Sequence, residues 1–360
     1  MLLYIHIPFC DSKCSYCSFN SYVDKFSFKK EYMNALYNQL RFEIEYFKVS
    51  VDNPIETVFI GGGTPSTIDP ILFAPIFSLI GPYLKKNAEI TSEANPNSAT
   101  KFWLQGMYHL GVNRLSFGVQ SFNEPKLKQL GRSHNSLDAI NAVTKAFDVG
   151  YKNISIDLIY GVFGDSKELL HQDLHTAFSL PINHLSLYAL TIEKDTPFEK
   201  KPDMAEEQLE TTQWLFDRLK ENQFYQYEIS NFGEYQSEHN LGYWQYKDYI
   251  GIGSGAVGFL KNMRYYPNKN IEEYIKNPLQ REEEILSKED QLTEKIFLGL
   301  RSCIGINANL LDSKQLQQAN MLAHEGLLFE RNGVFLNKNY LLRIRATLMH
   351  GYWFFAQGRR

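Results

Sequence analysis

The sequence predicts an α/β chain built as an open, partial barrel of six βα units, followed by a smaller, mostly helical domain. Two observations predict this. Short apolar runs alternate with stretches of helical spacing, and the period is roughly thirty residues, as parallel crossovers require. Six units also fall short of the eight that close a barrel. The rhythm stops after about Phe224, so the expected division places one domain at residues 1–228 and a second at 229–360.

The units follow in order. Leu2–Ile7 is an apolar run ending at Pro8 and reads as the first strand. Phe28–Phe47 places Tyr32, Leu36, Leu40, Ile44 and Phe47 at helical spacing. Thr57–Ile60 is a second strand, broken by Gly61-Gly62-Gly63-Thr64-Pro65, and Asp69-Pro70 opens a helix as N-cap and first-turn proline. Glu89–Ala94, Asn113–Val119, Asn153–Tyr160 and His184–Leu190 are strand-like. Helices are expected over Thr100–His109, Glu124–Leu130, Ser136–Val149, Lys167–Ser179 and Met204–Asn222. Beyond them, Tyr225–Ile229 alternates like a strand, and Gly251-Ile252-Gly253-Ser254-Gly255 reads as a tight bend. Asn268–Leu286, Lys288–Leu300 and Ala308–Phe329 read as helical, and Val334–Leu336 as one arm of a hairpin. The closing stretch Tyr352–Arg360 is aromatic and basic, and nothing in the sequence explains it.

The 360 residues suit two domains; 44% hydrophobic and 22% charged residues are ordinary for a globular protein. Aromatics reach 14%, a content that suits a flat apolar ligand but arises equally from compositional drift. The net charge of −4 and the lack of a basic block exclude the electrostatic footprint of a nucleic-acid binder. The N-terminus has no basic region or cleavage site, and no apolar run has transmembrane length. The expected compartment is the cytoplasm, where thiols stay reduced. Peripheral membrane contact remains compatible with this.

Chemistry concentrates in Cys10-Asp11-Ser12-Lys13-Cys14-Ser15-Tyr16-Cys17, which holds three of the chain's four cysteines; the fourth is Cys303. Three thiolates on one loop suit a soft metal centre. A [4Fe–4S] cluster can take three cysteines and leave one iron open, whereas zinc asks for a fourth ligand. A zinc knuckle completed by histidine, or a disulfide pair, stays open on spacing alone. Strand ends supply further polar groups: Gly61–Thr64, Glu93, Gln120 and Asp157. In such barrels these ends form the active-site mouth. A glycine-rich turn lets backbone amides approach a ligand, though it also serves as a plain turn. Asp157, inside an apolar strand, requires a donor, either from a ligand or from the backbone.

The spacing Cys-x3-Cys-x2-Cys, with Tyr16 before the third cysteine, resembles the radical S-adenosylmethionine (SAM) enzymes. The resemblance implies a partial, open (βα)6 TIM-like barrel of the radical SAM type. It also implies a cluster whose open iron binds SAM and splits its sulfonium to a 5′-deoxyadenosyl radical. From Tyr4 to about Phe259 the chain is similar to the oxygen-independent coproporphyrinogen III dehydrogenase family of those proteins, within it to a subgroup of heme chaperones. That match assigns Cys10, Cys14 and Cys17 to the cluster, and Tyr4, Gly62 and Glu93 to the SAM bound on it. Gly63, Thr64, Gln120, Arg132 and Asp157 match positions that contact a second SAM in the dehydrogenase.

Two features favour the chaperone subgroup over the dehydrogenase. Phe19 stands where dehydrogenases carry a fourth cysteine, and the first strand begins at residue 2 with no extension before it. His239-Asn240-x-x-Tyr243-Trp244 matches a signature linked to heme in that subgroup; imidazole ligates heme iron. Ser237, Val257 and Phe163 depart from the subgroup's usual cysteine, histidine and proline. The expected function is therefore delivery of heme to apo-heme proteins, such as respiratory enzymes, with an electron donor for the cluster and without coproporphyrinogen dehydrogenase activity. The alternatives are that dehydrogenase and a zinc-stabilised binding module.

Overall fold

The structure is a computed structural model that describes residues 1–206 and 209–337. Its spine is one open eleven-stranded sheet. Six parallel strands run side by side in chain order: β1 (Leu2–Ile7), β2 (Ile55–Gly62), β3 (Leu84–Ala94), β4 (Arg114–Gln120), β5 (Asn153–Tyr160) and β6 (His184–Ala189). Helices cover their outer face: α1 (Lys29–Tyr46), α2 (Pro70–Ile80), α3 (Lys101–Leu110), α4 (Glu124–Leu130), α5 (Ser136–Val149), α6 (Lys167–Ser179) and α7 (Leu209–Glu221). The barrel does not close. Antiparallel β7 (Asn231–Gly233) edges β6, and a further set of strands is added beyond β1 at the opposite edge.

Alternation along the strands builds both faces. Leu3, Ile5 and Ile7 point out and are fully buried under helices, each worth roughly 1.5–3 kcal/mol of burial. α1 turns Tyr32, Leu36, Leu40 and Ile44 onto this layer. The other parity is polar: Thr57 in β2; Glu89, Thr91 and Glu93 in β3; Arg114 and Ser116 in β4; Ser155 and Asp157 in β5; His184 and Ser186 in β6. This set lines the barrel interior. Caps fix the helix starts: at Asp69, as expected, Oδ1 accepts from Ile71 N, and Asn135 and Asp138 form a reciprocal capping box.

The C-terminal third departs from its sequence reading in four places. Gly251 and Ile252, read as part of a tight bend, lie in a strand that pairs with β1 at Tyr4 and Ile5. Tyr225–Ile229 is not a strand; only isolated bridges at Gln226 and Glu228 form, because β7 takes the edge of β6. Asn268–Leu286 is not one helix but a short α9 (Ile271–Lys276), capped by Asn270, followed by β11 (Arg281–Ile285). There Glu282, Glu283 and Glu284 are drawn into a meander by cross-strand pairing with β10 (Met263–Pro267), which overrides a weak local preference. Ala308–Phe329 divides into a 3-10 turn, α11 (Ser313–His324) and β13 (Leu328–Arg331). The meander joins the main sheet through β9 (Gly258–Leu260) and β8 (Tyr249–Ile252), which pairs in parallel with β1. A small sheet of β12 (Ile306–Asn307), β13 and β14 (Val334–Asn337) packs with α11 around Ala319, Leu328 and Phe335. α8 (Glu238–Trp244) and α10 (Lys288–Gly299) complete the elements. The aromatic-basic stretch Tyr352–Arg360 lies outside the described residues. Among the described residues no helix is long and apolar enough to cross a membrane.

Candidate cluster and cofactor site

The cysteine loop leaves β1 at Pro8 and is anchored along its length. Cys10 N donates to Tyr22 O (3.0 Å) and Tyr22 N to Pro8 O (2.7 Å). Ser15 N donates to Leu130 O at the end of α4 (3.0 Å), Phe198 N donates to Ser15 O (3.1 Å), and Lys13 Nζ reaches Phe19 O (2.7 Å). Gly131 must be glycine for the loop to sit there: its φ is +73°, and a Cβ would stand 2.9 Å from Ser15 Oγ. The loop is therefore shaped by contacts from distant units.

Cys10, Cys14 and Cys17 are free thiols and line one cavity at the C-terminal ends of the strands, of about 390 Å³. The same cavity collects Gly62, Gly63, Thr64, Glu93, Gln120, Arg132 and Asp157. Arg132 Nη1 donates to Cys14 Sγ (3.2 Å) and Thr64 Oγ1 to Cys10 Sγ (3.4 Å), donors of the kind that steady thiolates. Burial pushes the thiols of Cys10 and Cys17 up, so metal ligation has to displace their protons. Among the described residues no three His, Cys, Asp or Glu side chains gather closely enough to hold a single metal ion. A cubane offers three separate iron corners, so its thiolates stand farther apart than ligands of one ion. Three thiolates on one loop are a donor set that suits a cubane with one open iron.

Glu93 Oε2 accepts from Gly62 N (3.0 Å), and burial, then the nearby Asp157 carboxylate, raises it to about 8. Asp157 is also pushed up by burial, against hydrogen bonds from Ser186 and Ser116. Two half-buried carboxyls with few protein donors face the cavity, and a cation or hydroxyl-bearing ligand would answer both. Arg132 Nη2 donates to Gly118 O (2.6 Å) and Asn95 Oδ1 (2.8 Å), while its buried Nε has no partner among the described residues. Gln120 sits at a register shift of β4 with φ +69°, which turns it toward the mouth.

The glycine loop works differently from the sequence expectation. Its amides are not exposed: Gly62 N is spent on Glu93, Gly63 N on Ile7 O (2.8 Å) and Thr64 N on Phe9 O (2.7 Å). The loop is thus no anion-binding nest. Gly62 has φ +113°, and a Cβ there would stand 2.5 Å from the His6 ring; a Cβ on Gly63 would stand 3.0 Å from Cys10 Sγ. The glycines let the second strand's turn lie flush against the first strand and the cysteine loop.

Tyr4 is not in the cysteine cavity. Its hydroxyl pairs with His6 Nδ1 (2.9 Å), and it lines a larger cavity of about 1140 Å³ behind the loop. His239 lies in neither. It is 1% exposed on α8, its Nδ1 pairs with Thr57 Oγ1 (2.7 Å) and its Nε2 with Tyr243 OH (3.0 Å). Burial holds its imidazole neutral, lowered to about 3. Tyr243 lines both the larger cavity and one of about 330 Å³, and Asn240 and Trp244 line only the latter. Sequence reasoning passed over Asn95, which bridges Arg132 and Thr64 Oγ1, and Ser116, which donates to Asp157. Both follow from the polar period-two stripe of β3 and β4, a signal present in the sequence.

An open parallel barrel with a three-cysteine loop at the strand C-termini defines a radical SAM protein. A family model described as the Radical SAM superfamily matches residues 4–177. The chain is 33% identical to the heme chaperone HemW of Bacillus subtilis (strain 168), over 84% of each chain. It is 39% identical to heme chaperone HemW of Escherichia coli (strain K12), over 71% of this chain and 69% of that one. The structure of E. coli coproporphyrinogen III oxidase (HemN), described as a radical SAM enzyme, superposes with TM-score 0.80 at 20% identity, covering 97% of this chain and 89% of that one. The last match shows a shared fold. The chain belongs to the HemW family of radical SAM proteins.

Proposed function

We propose that the chain is a heme chaperone that carries a [4Fe–4S] cluster on Cys10, Cys14 and Cys17, binds SAM beside it and hands heme to apo-heme proteins. Its 33% identity to a HemW over 84% of both chains carries the reading. When bound, the cluster and SAM supply one-electron reduction of a sulfonium. The chain's own residues bind and orient. Glu93 and Asp157 offer acceptors to a ligand's hydroxyl or ammonium groups, Arg132 steadies Cys14, and Gly62 and Gly63 keep the second strand's turn clear of His6 and the cysteine loop. Thr64 and Gln120 form the remaining polar wall. We assign the cluster and SAM sites to residues 1–228, and the heme-linked segment to residues 229–360. His239 is the proposed iron ligand; its imidazole must exchange the Tyr243 hydrogen bond for the metal. An electron donor and an apo-heme acceptor are the partners this activity needs.

The test is one anaerobic sample, reconstituted with iron and sulfide. It should bind hemin and transfer it to an apo-heme protein, and should not decarboxylate coproporphyrinogen III in the presence of SAM and reductant. Decarboxylase turnover would replace the chaperone reading with the dehydrogenase one.

A further inference from the structure

The larger cavity is bordered by only Cys17 of the three loop cysteines, and by none of Gly62, Thr64, Glu93, Gln120, Arg132 and Asp157. It lies between the cysteine loop, α8, the β8–β9 turn and α10, with about 1140 Å³ of space. That is at or above the upper end of ordinary small-molecule sites, roughly 300–1,000 Å³. Its walls are aromatic: Tyr243, Tyr246, Tyr249, Phe259 and Phe297 all contribute. Four of these rings are locked against one another, with Tyr243–Tyr249 at 4.9 Å, Tyr246–Phe259 at 5.0 Å and Tyr249–Phe259 at 6.0 Å between centroids. Preorganised rings of this kind suit a wide, flat, apolar ligand. The charges differ in availability. Arg264 and Lys247 are committed, to Glu294 and Glu56 at 2.8 and 2.7 Å. Lys13 is held in the cysteine loop by Phe19 O (2.7 Å) and Ser21 Oγ (2.8 Å). Lys194 and Lys269 also line the cavity, and among the described residues they form no ion pair. A flat ligand carrying carboxylates at its edge would meet both features.

We propose that this aromatic cavity, rather than the cysteine cavity, receives the tetrapyrrole, with ring faces against the tyrosine–phenylalanine wall and carboxylates at the lysines. The assignment rests on the heme-chaperone reading and gives that activity its place. His239 meets the cavity wall through Tyr243, so its imidazole lies one hydrogen bond behind the ring. Cys17, Ser18, Phe19 and Ser21 line both cavities. The tetrapyrrole and the cluster therefore share a wall, and Phe19, 66% exposed, is its most accessible apolar residue. A fourth cysteine at that position would place a thiol in this wall, where Phe19 supplies an apolar ring.

The test uses the full chain, reconstituted anaerobically, with three probes: hemin, metal-free protoporphyrin IX and its dimethyl ester. Val257 is half-buried in the cavity wall, so Val257→Trp fills the space. That variant should weaken hemin and protoporphyrin binding by at least about tenfold, while the cluster spectrum and its response to SAM stay as in the parent. The surface double variant Lys194→Glu/Lys269→Glu should weaken the free acid and leave the dimethyl ester unchanged. Failure of the parent to bind any of the three removes the chaperone reading and this assignment with it. Parent binding that both variants retain overturns the cavity alone. If Val257→Trp loses its cluster, the double variant decides: equal affinity for acid and ester in the parent, unchanged by the charge reversal, overturns the proposal.

Discussion

Glu89 and Glu93 stand four residues apart on the same face of β3, yet their surroundings are opposite. Glu89 accepts four hydrogen bonds: from Tyr235 OH (2.7 Å), Ser237 Oγ (3.2 Å), Glu238 N (2.9 Å) and His239 N (3.0 Å). It receives the start of α8, which plugs the floor of the open barrel. Glu93 accepts from Gly62 N, is crowded by Asp157 and is held neutral up to about 8. Strands of one alternating pattern thus give a satisfied floor and an under-satisfied mouth. Polar groups that the chain itself answers hold the fold, and those it leaves short of partners mark where a ligand belongs.

The largest effect tests the mouth. Replacing Cys10, Cys14 or Cys17 with Ala should abolish iron incorporation after reconstitution, measured as iron per chain. Cys303→Ala, at an exposed site remote from the loop, should leave it unchanged. Stoichiometric zinc with no iron uptake by the parent would remove the cubane.

Next comes the floor. Glu89→Ala strands two backbone amides, a tyrosine hydroxyl and a serine hydroxyl in a buried site, and should cost roughly 3–5 kcal/mol in denaturant unfolding. Glu93→Gln at the mouth should cost less than about 1 kcal/mol at pH 8, yet blunt the spectral response of the cluster to SAM. Equal destabilisation by the two variants would erase the distinction between the two ends.

Gly62→Val should destabilise by roughly 1–3 kcal/mol, from backbone strain and the His6 contact. It should keep iron near the parental level and lose the SAM response. Retention of that response would place SAM away from this turn.

The last prediction is a pH dependence. Glu93 has a raised folded pKa, so its contribution to stability is complete below the ordinary carboxylate value near 4.5. It declines as pH rises and is gone above about 8. The unreconstituted protein should therefore lose thermal stability between those values, and Glu93→Gln should flatten that part of the profile. An identical profile in the variant would assign the slope to other groups.

The cysteine loop and the βα order were legible because both are local: eight residues carry three thiols, and each strand and helix has its own period. The C-terminal meander was not legible. Arg281–Ile285 is a charged run whose pairing partner lies on the far side of α9, and its register is visible only once β10 is in place. His239 shows the same limit at a single residue. Its motif is plain in the sequence, but its burial against Thr57 depends on a helix returning more than 180 residues later to fill the barrel floor.

The sequence by itself determined the class of chemistry, since thiol spacing and strand-end polar groups are set by covalent distance and alternation. Tertiary structure alone decided which polar groups are answered by the chain and which are left for a ligand, because a buried group's partners come from segments far away in sequence. It also decided that the aromatic residues of α8, β8 and β9 face one space beside the cysteine loop. No local period encodes that enclosure; it arises when β8 pairs with β1 and draws the meander against the barrel's open edge.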